Sequence, residues 1–223
     1  MPVACDILFE DNHHAVVLKP AGMAVHGRSR STLTAWIRNH WHPSNSSPLA
    51  VHRLDYGTRG PVMVAKSPEA HLRLQAQWPL FTKTYHTWLA GELRTTRGHV
   101  ALPVDGKSSL TDFRCLGHRP WGVHGTASLV EWTLRTGRTH QIRRHAAAIG
   151  HPVVGDPMYG TPPIYTGHGL HLCCSHLSWS HPLTEESLEV QVPPAKKMVR
   201  AVQGTFQTLE GPGSKWLGLF EPF

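Results

Sequence analysis

Acidic residues are scarce in this chain of 223: 15 Asp and Glu face 22 Lys and Arg, a net charge of +7 before any of the 18 histidines takes a proton. With a sequence pI near 9.5, the composition points first to a polyanionic partner such as a nucleic acid. Cysteine is also sparse. Cys5, Cys115, Cys173 and Cys174 show no CxxC spacing, which excludes a disulfide framework and fits reduced thiols in the cytoplasm. No stretch reaches the roughly 18 apolar residues of a membrane span, and the start, MPVACDILFEDNHH, lacks the basic and apolar regions of a secretory signal. A cytoplasmic, monomeric protein with no membrane partner is therefore expected. Missing too are HExxH, GxxxxGK[ST], a post-strand GxGxxG and GxSxG, so metalloprotease, nucleotide hydrolase, dinucleotide oxidoreductase and serine hydrolase all lose their markers. There are no repeats and no linker long enough to separate domains. The expectation is one domain over 1–223, with a core at about 7–194 and a tail at 195–223.

Hydrophobic residues make up 40% of the chain, enough for a core. Ile7 to Phe9 and Ala15 to Leu18 read as short strands about a polar turn, followed by the loop KPAGMAVHG. Ser31 is placed to cap a helix from Thr32 to about His40, with Leu33 and Ile37 inward. Pro43 to Pro48 reads as a connector. Ser67-Pro68-Glu69 starts a second helix that Pro79 stops, with Ala70, Leu74 and Trp78 on its buried stripe. KTYHTWLAGEL alternates as a strand, setting Lys83, Tyr85 and Leu89 on one face and His86 and Trp88 on the other. A hairpin of Val100 to Val104 with Thr111 to Leu116 is expected around Asp105-Gly106, then a strand from Ala127 to Leu134. A helix from Thr139 to Ile149, stopped by Gly150, has Ile142, Ala146 and Ile149 inward and Arg143 at the edge of that stripe. Leu170 to Trp179 and Leu188 to Val192 read as the last strands, with an irregular run from Pro162 to Gly169 before them.

The stretch AVHRLDYGTRGPVMVAK, Ala50 to Lys66, holds one carboxylate, Asp55, between Arg53 and the turn Gly57-Thr58-Arg59-Gly60. On these residues alone, a corner whose Asp bonds its own turn is the plainer reading. The flanking arginines would nevertheless keep Asp55 ionised and available as nucleophile or base. Arg143 could orient it through a planar guanidinium, and Tyr85 offers a face for stacking on a base. Arg28, Arg30, Arg38, Arg53, Arg59, Arg138, Arg143 and Arg144 would form a phosphate track if they converged on one cleft. Arg53 and Arg143 are the two expected to leave the solvated surface. HGLHLCCSH invites a metal reading, but strand alternation sends His171 and Cys173 one way and Cys174 and His176 the other, so no metal site is expected there.

Set beside one another, HRLD (His52 to Asp55) and GRTHQIR (Gly137 to Arg143) resemble the RluA-type pseudouridine synthases. KPAGMAVH, the KTY of Lys83 to Tyr85, GHPVVGDPMYG and LHLCCSHLSWSHP extend the likeness from about Leu18 to Pro194. The resemblance implies an α+β pseudouridine synthase fold: a large mixed, mainly antiparallel sheet with flanking helices and a central RNA-binding cleft. It implies a reaction without cofactor or metal, in which the glycosidic bond of a uridine in structured tRNA or rRNA is broken, the base turns, and carbon 5 is rejoined to the ribose. By position, Asp55 is the catalytic acid residue, Tyr85 stacks on the uracil, and Arg143 pairs with Asp55. Arg53 helps hold the uridine out of its helix or fills the space it leaves, Arg59 and Lys83 join the substrate contacts, Arg138 is a phosphate or loop-anchoring contact, and His52 packs behind the strand. Arg59 stands where the family has a serine, and Pro61 follows the glycine. That change is expected to add a phosphate contact, retune substrate choice, or mark lost activity. The likeness is to the catalytic domain without the family's small N-terminal RNA-binding appendage. A non-catalytic RNA-binding or folding factor on the same scaffold, or a His/Cys metal hydrolase, is the rival reading.

Overall fold

The structure is a computed structural model and describes residues 4–41, 48–121, 125–160, 169–202 and 206–209. They fall into two compact units, the first drawn from residues 1–82 and 176–192, the second from 83–175 and 193–223. Every strand pairing whose register is described is antiparallel, in keeping with the α+β reading. Most of the connector at 42–47 and the irregular run at 161–168 lie outside the described residues.

In the first unit, β1 (Asp6–Glu10) and β2 (His14–Lys19) form a hairpin, and a sheet of order β1-β2-β4-β3 is completed by β3 (Leu49–Ala50) and β4 (Gly60–Ala65). β2 and β4 are buried along their whole lengths, so they read as unbroken apolar runs rather than alternating ones. Two helices cover this sheet's flank. α1 (Leu33–His40) buries Leu33 and Ile37, and α2 (Pro68–Gln77) buries Ala70 and Leu74. The cap of α1 is Thr32 and not Ser31, because the Thr32 hydroxyl accepts the Ala35 amide at 3.2 Å, three residues on. α2 is capped by Ser67, as its sequence requires, and Trp78 has passed into a 3-10 turn with Pro79. Met63, Leu74, Phe81, Leu177 and Trp179 share one core.

The second unit takes nearly all of β5 (Thr82–Ala90), which pairs with β8 (Thr126–Leu134); β8 pairs with β7 (Thr111–Pro120), and β7 with β6 (Arg97–Val100). β9 (Leu172–Ser180) starts in this unit and ends in the first, where it pairs with β10 (Ser187–Gln191). α3 (Gln141–Ala148), α4 (Lys196–Val202) and β11 (Gln207–Thr208), paired with β7, complete the described elements. Trp88, Leu129, Cys173 and Met198 pack together. The expected alternation of β5 separates two buried faces rather than core from solvent, since Lys83, Tyr85, His86 and Trp88 are all enclosed. β6 lies earlier than expected. Asp105 (φ 51°) and Gly106 (φ 73°) turn instead at the tip of the loop, closed by a Val104–Lys107 bridge. α3 starts at Gln141 because His140 is left-handed (φ 55°), while the Gln141 Oε1 accepts the Arg138 amide at 2.9 Å and the Thr136 hydroxyl at 2.8 Å.

Buried histidines tie parts of each unit together. In the first, Asp11 Oδ1 accepts the His13 and His14 amides, and Oδ2 accepts His181 Nε2–H at 2.9 Å beside His14 Nδ1 at 3.2 Å. His14 Nε2 accepts the Trp179 indole N–H at 3.0 Å. In the second, His86 is enclosed against the Ser175 hydroxyl at 2.8 Å. Burial pushes the His14 pKa from 6.5 down to about 4 against the pull of Asp11, and pushes His86 down to about 3, helped by the Arg114 charge. Both rings hold protons less tightly folded than unfolded, so the unfolded chain gains protons first as pH falls below 6.5. Stability is expected to decline steadily from pH 6.5 to about 4, and His14→Gln, whose amide oxygen can still accept from Trp179, should flatten that decline. Urea midpoints measured across the interval check this; parallel curves for wild type and variant would count against it.

Candidate active site

Asp55 sits half-buried at the head of a turn in which its carbonyl accepts the Thr58 amide at 3.0 Å. Leu54 on one side and Thr58 on the other are buried, so the turn cannot swing freely. Its anchor comes from β2. The β2–β4 register sets Lys19 opposite Gly60, and the fully buried Lys19 ammonium donates to the carbonyls of Pro20 at 2.9 Å, Met23 at 2.7 Å and Tyr56 at 3.4 Å. The Gly22 amide donates to the same Tyr56 carbonyl at 2.8 Å. One cation thus fastens the KPAGM loop to the residue after Asp55. Burial lowers the Lys19 pKa to about 8, with the Asp55 charge the first influence holding the proton on. Lys19 carries no role in the sequence reading; its signal was a lysine closing the apolar strand HAVVLK immediately before a proline-glycine loop.

His52 packs behind the strand as expected: Nε2 accepts the Met63 amide at 3.0 Å, and its ring stacks on Trp78 at 4.0 Å. Arg53 is exposed, contrary to its expected withdrawal from solvent, and Arg59 is half-buried just ahead of β4. These residues and Asp55 belong to the first unit.

Lys83, Tyr85, Arg138 and Arg143 belong to the second. β5 carries Lys83 and Tyr85, both buried on one face, and burial lowers the Lys83 pKa. Arg143 is not at the edge of its helix stripe; it is buried, with its Nε and Nη2 bonded to the two carboxylate oxygens of Asp156 at 2.7 and 2.8 Å. Asp156 also accepts the amides of Met158 and Tyr159, and although burial alone would raise its pKa, Arg143 and those amides hold it below the usual value. Gly155 lets the loop pass close by. At φ 77° a β-carbon there would lie 2.3 Å from the Gly169 carbonyl oxygen. The fork that the sequence assigned to Asp55 is thus first engaged by Asp156, a residue that the GDP triplet signalled only as a loop. Arg138 is exposed and anchors its loop through Nε to the Ser108 carbonyl at 3.2 Å.

Among the described residues, one group brings three potential metal ligands together: Asp11, His14 and His181, not the HGLHLCCSH run. The ring nitrogens facing away from the group accept hydrogen bonds, His14 Nε2 from Trp179 and His181 Nδ1 from the Leu183 and Thr184 amides, so in the neutral rings the nitrogens facing Asp11 carry the protons. The chemistry of this group is that of a hydrogen-bonded brace. All four cysteines are free and buried, and burial pushes the Cys5 and Cys115 thiols up to about 11. No helix among the described residues is long and apolar enough to cross a membrane.

A family model described as RNA pseudouridylate synthase matches residues 13–148. YhcT of Bacillus subtilis, an uncharacterized RNA pseudouridine synthase, is 34% identical over 210 residues, spanning 84% of this chain and 68% of its own. The ribosomal large subunit pseudouridine synthase C of Vibrio vulnificus is 34% identical over 219 residues, spanning 88% and 68%. Human RNA pseudouridylate synthase domain containing 1 superposes with a TM-score of 0.77 at 24% identity, over 97% of this chain and 94% of the human one, and shares the fold. Together with the HRLD turn and the helix that begins within GRTHQIR, these matches establish that the chain belongs to the RluA-type family of RNA pseudouridine synthases.

Proposed function

We propose that Asp55 is the carboxylate with which this RNA pseudouridine synthase converts one uridine of a structured RNA, tRNA or rRNA, to pseudouridine. The bond from N1 to the ribose breaks, the bond from C5 to the ribose forms, the C5 proton leaves and N1 regains one, so substrate and product are isomers. The observation that carries the assignment is the fixation of the Asp55 turn by a buried ammonium, since a positioned carboxylate must hold its geometry while a base is broken off and turned. Tyr85 is proposed to stack on the extruded uracil, and Arg53 to help keep the uridine out of its helix. With Nε and Nη2 committed to Asp156, the role proposed for Arg143 toward Asp55 falls to Nη1. Lys83, Arg59 and Arg138 are proposed as further RNA contacts. Large-subunit ribosomal RNA is the first substrate to try, because the Vibrio relative is named for that target. Both units are taken to serve one catalytic domain over 1–223, working as a cytoplasmic monomer.

Incubation with RNA from a cell lacking the protein, followed by pseudouridine mapping, is expected to yield new product with wild type and at least ~10³-fold less with Asp55→Asn. Undiminished product from the variant would remove Asp55 from the chemistry. Lys19→Met takes the ammonium donor from the Pro20 and Met23 carbonyls, at about 1–3 kcal/mol for each one that stays buried, while the Tyr56 carbonyl keeps the Gly22 amide. It is expected to lower the urea midpoint and to slow turnover even at temperatures where the protein is folded. Asp156→Asn should destabilise by about 3 kcal/mol or more, because Arg143 is left charged and buried, and adding Arg143→Met should recover part of that loss. Additive effects in this double-mutant cycle would show that the pair is not coupled.

A further inference from the structure

Beside the Asp55 turn the first unit carries an open groove of about 760 Å³ whose charged lining is entirely basic. Its floor is the segment Leu49 to Arg53, which runs into Asp55 two residues later. One wall is α1 and the loop before it, the other α2. Each helix contributes the pair one position on from its buried pair: Thr34 and Arg38 follow Leu33 and Ile37, while His71 and Gln75 follow Ala70 and Leu74. Into this space come Arg28, Arg30, Arg38 and Arg53, all exposed, and among the described residues no Asp or Glu lines it. None of these four guanidinium groups makes a hydrogen bond or ion pair among the described residues.

Arginines left unpaired in one groove repel one another and stabilise nothing in the isolated chain, so the arrangement suits an external anion. The amides at the start of α1 do not serve that anion. Leu33 and Thr34 N–H are bonded to the Ala24 and Val25 carbonyls, and Ala35 N–H to the Thr32 hydroxyl. The guanidinium groups therefore carry the affinity, and their planar forks match phosphate oxygens. The apolar lining is only Ala35, Leu49, Ala50 and Val51, too little to seat a lipid chain or a protein's apolar anchor. We propose that this groove grips the phosphate backbone of the RNA flanking the target uridine, with Arg28, Arg30 and Arg38 as contacts separate from the uridine itself. The inference rests on the RNA-modifying function proposed above. It makes the contact indifferent to base identity, because guanidinium on phosphate reads charge and not sequence.

The test compares the full chain with two triple variants of equal net charge: Arg28→Gln/Arg30→Gln/Arg38→Gln, and a control outside the groove, Arg94→Gln/Lys107→Gln/Arg200→Gln. Both replace exposed side chains, and thermal unfolding confirms that each folds. Binding of a labelled RNA hairpin with single-stranded flanks is measured against salt, alongside KM for pseudouridine formation in RNA from a cell lacking the protein. At ~0.7 per phosphate contact on single strands, the groove variant should lose about 2 from the slope of log affinity against log salt and bind about tenfold or more weaker. Its KM should rise correspondingly, with the control near wild type. Equal losses in both variants, or an unchanged slope in the groove variant, would overturn the groove, as would loss of binding to phosphatidylserine vesicles with RNA affinity intact. Failure of the function itself reads differently: wild type then makes no pseudouridine in any RNA, whatever the groove variant does.

Discussion

The first unit depends on one enclosed positive charge. The Lys19 ammonium lies out of water with three backbone carbonyls around it. Desolvation makes that site expensive, and the pKa near 8 records the cost. The charge nevertheless persists at neutral pH, because carbonyl dipoles and the Asp55 carboxylate compensate it. The constraint works in both directions: the loop from Pro20 to Met23 and the turn at Tyr56 can move only together, since either movement strands a buried cation. A carboxylate at the head of such a turn is held in place through its backbone, by the Thr58 amide on the Asp55 carbonyl and by Lys19 on the carbonyl of the next residue.

The second unit solves an analogous problem with a pair. Arg143 and Asp156 are both buried and joined by two parallel hydrogen bonds, a geometry that fixes the guanidinium plane as well as its position. Met158 and Tyr159 amides hold the carboxylate in turn, and the Tyr159 ring lies 5.1 Å from the guanidinium carbon. The loop after α3 therefore exists largely to set one arginine. In each unit a long cationic side chain is immobilised by a proline-containing loop, Lys19 by backbone carbonyls of KPAGM and Arg143 by the Asp156 carboxylate of GDPMY.

Much of the architecture was legible because its signals are local. Ser67-Pro68 fixes the start of α2 by capping chemistry that needs no tertiary partner, and the buried strand HAVVLK announces itself by composition. The errors arose where tertiary contacts decide. Ser31 and Thr32 are both competent caps, and the position of the Ala35 amide selects the second. The start of α3 depends on the Gln141 side chain turning back onto Thr136 and Arg138, which no periodicity reports. Asp55 could be singled out from its turn, yet its fixation could not, because Lys19 lies 36 positions earlier and meets the turn only through the β2–β4 register. Arg143 leaves the solvated surface as expected, but how deeply it is buried was illegible for the same reason: a charged residue beside a stripe reads as half-exposed until its counter-charge, here Asp156, is known.

The distribution of charge then separates two uses of arginine that composition merges. A net charge of +7 says only that anions are attracted on average. Where a cation is buried, as at Arg143, it is paired, because an unpaired buried charge costs several kcal/mol. Where cations are left unpaired, as at Arg28, Arg30 and Arg38, they are exposed and gathered in one groove without acids, so water screens their repulsion until an anion displaces it. Arg53 belongs to the second class by exposure and lies two residues from Asp55. Of the four groove arginines it lies nearest Asp55 in sequence, which is why both proposed tasks, holding the phosphate chain and keeping the uridine out of its helix, are assigned to it.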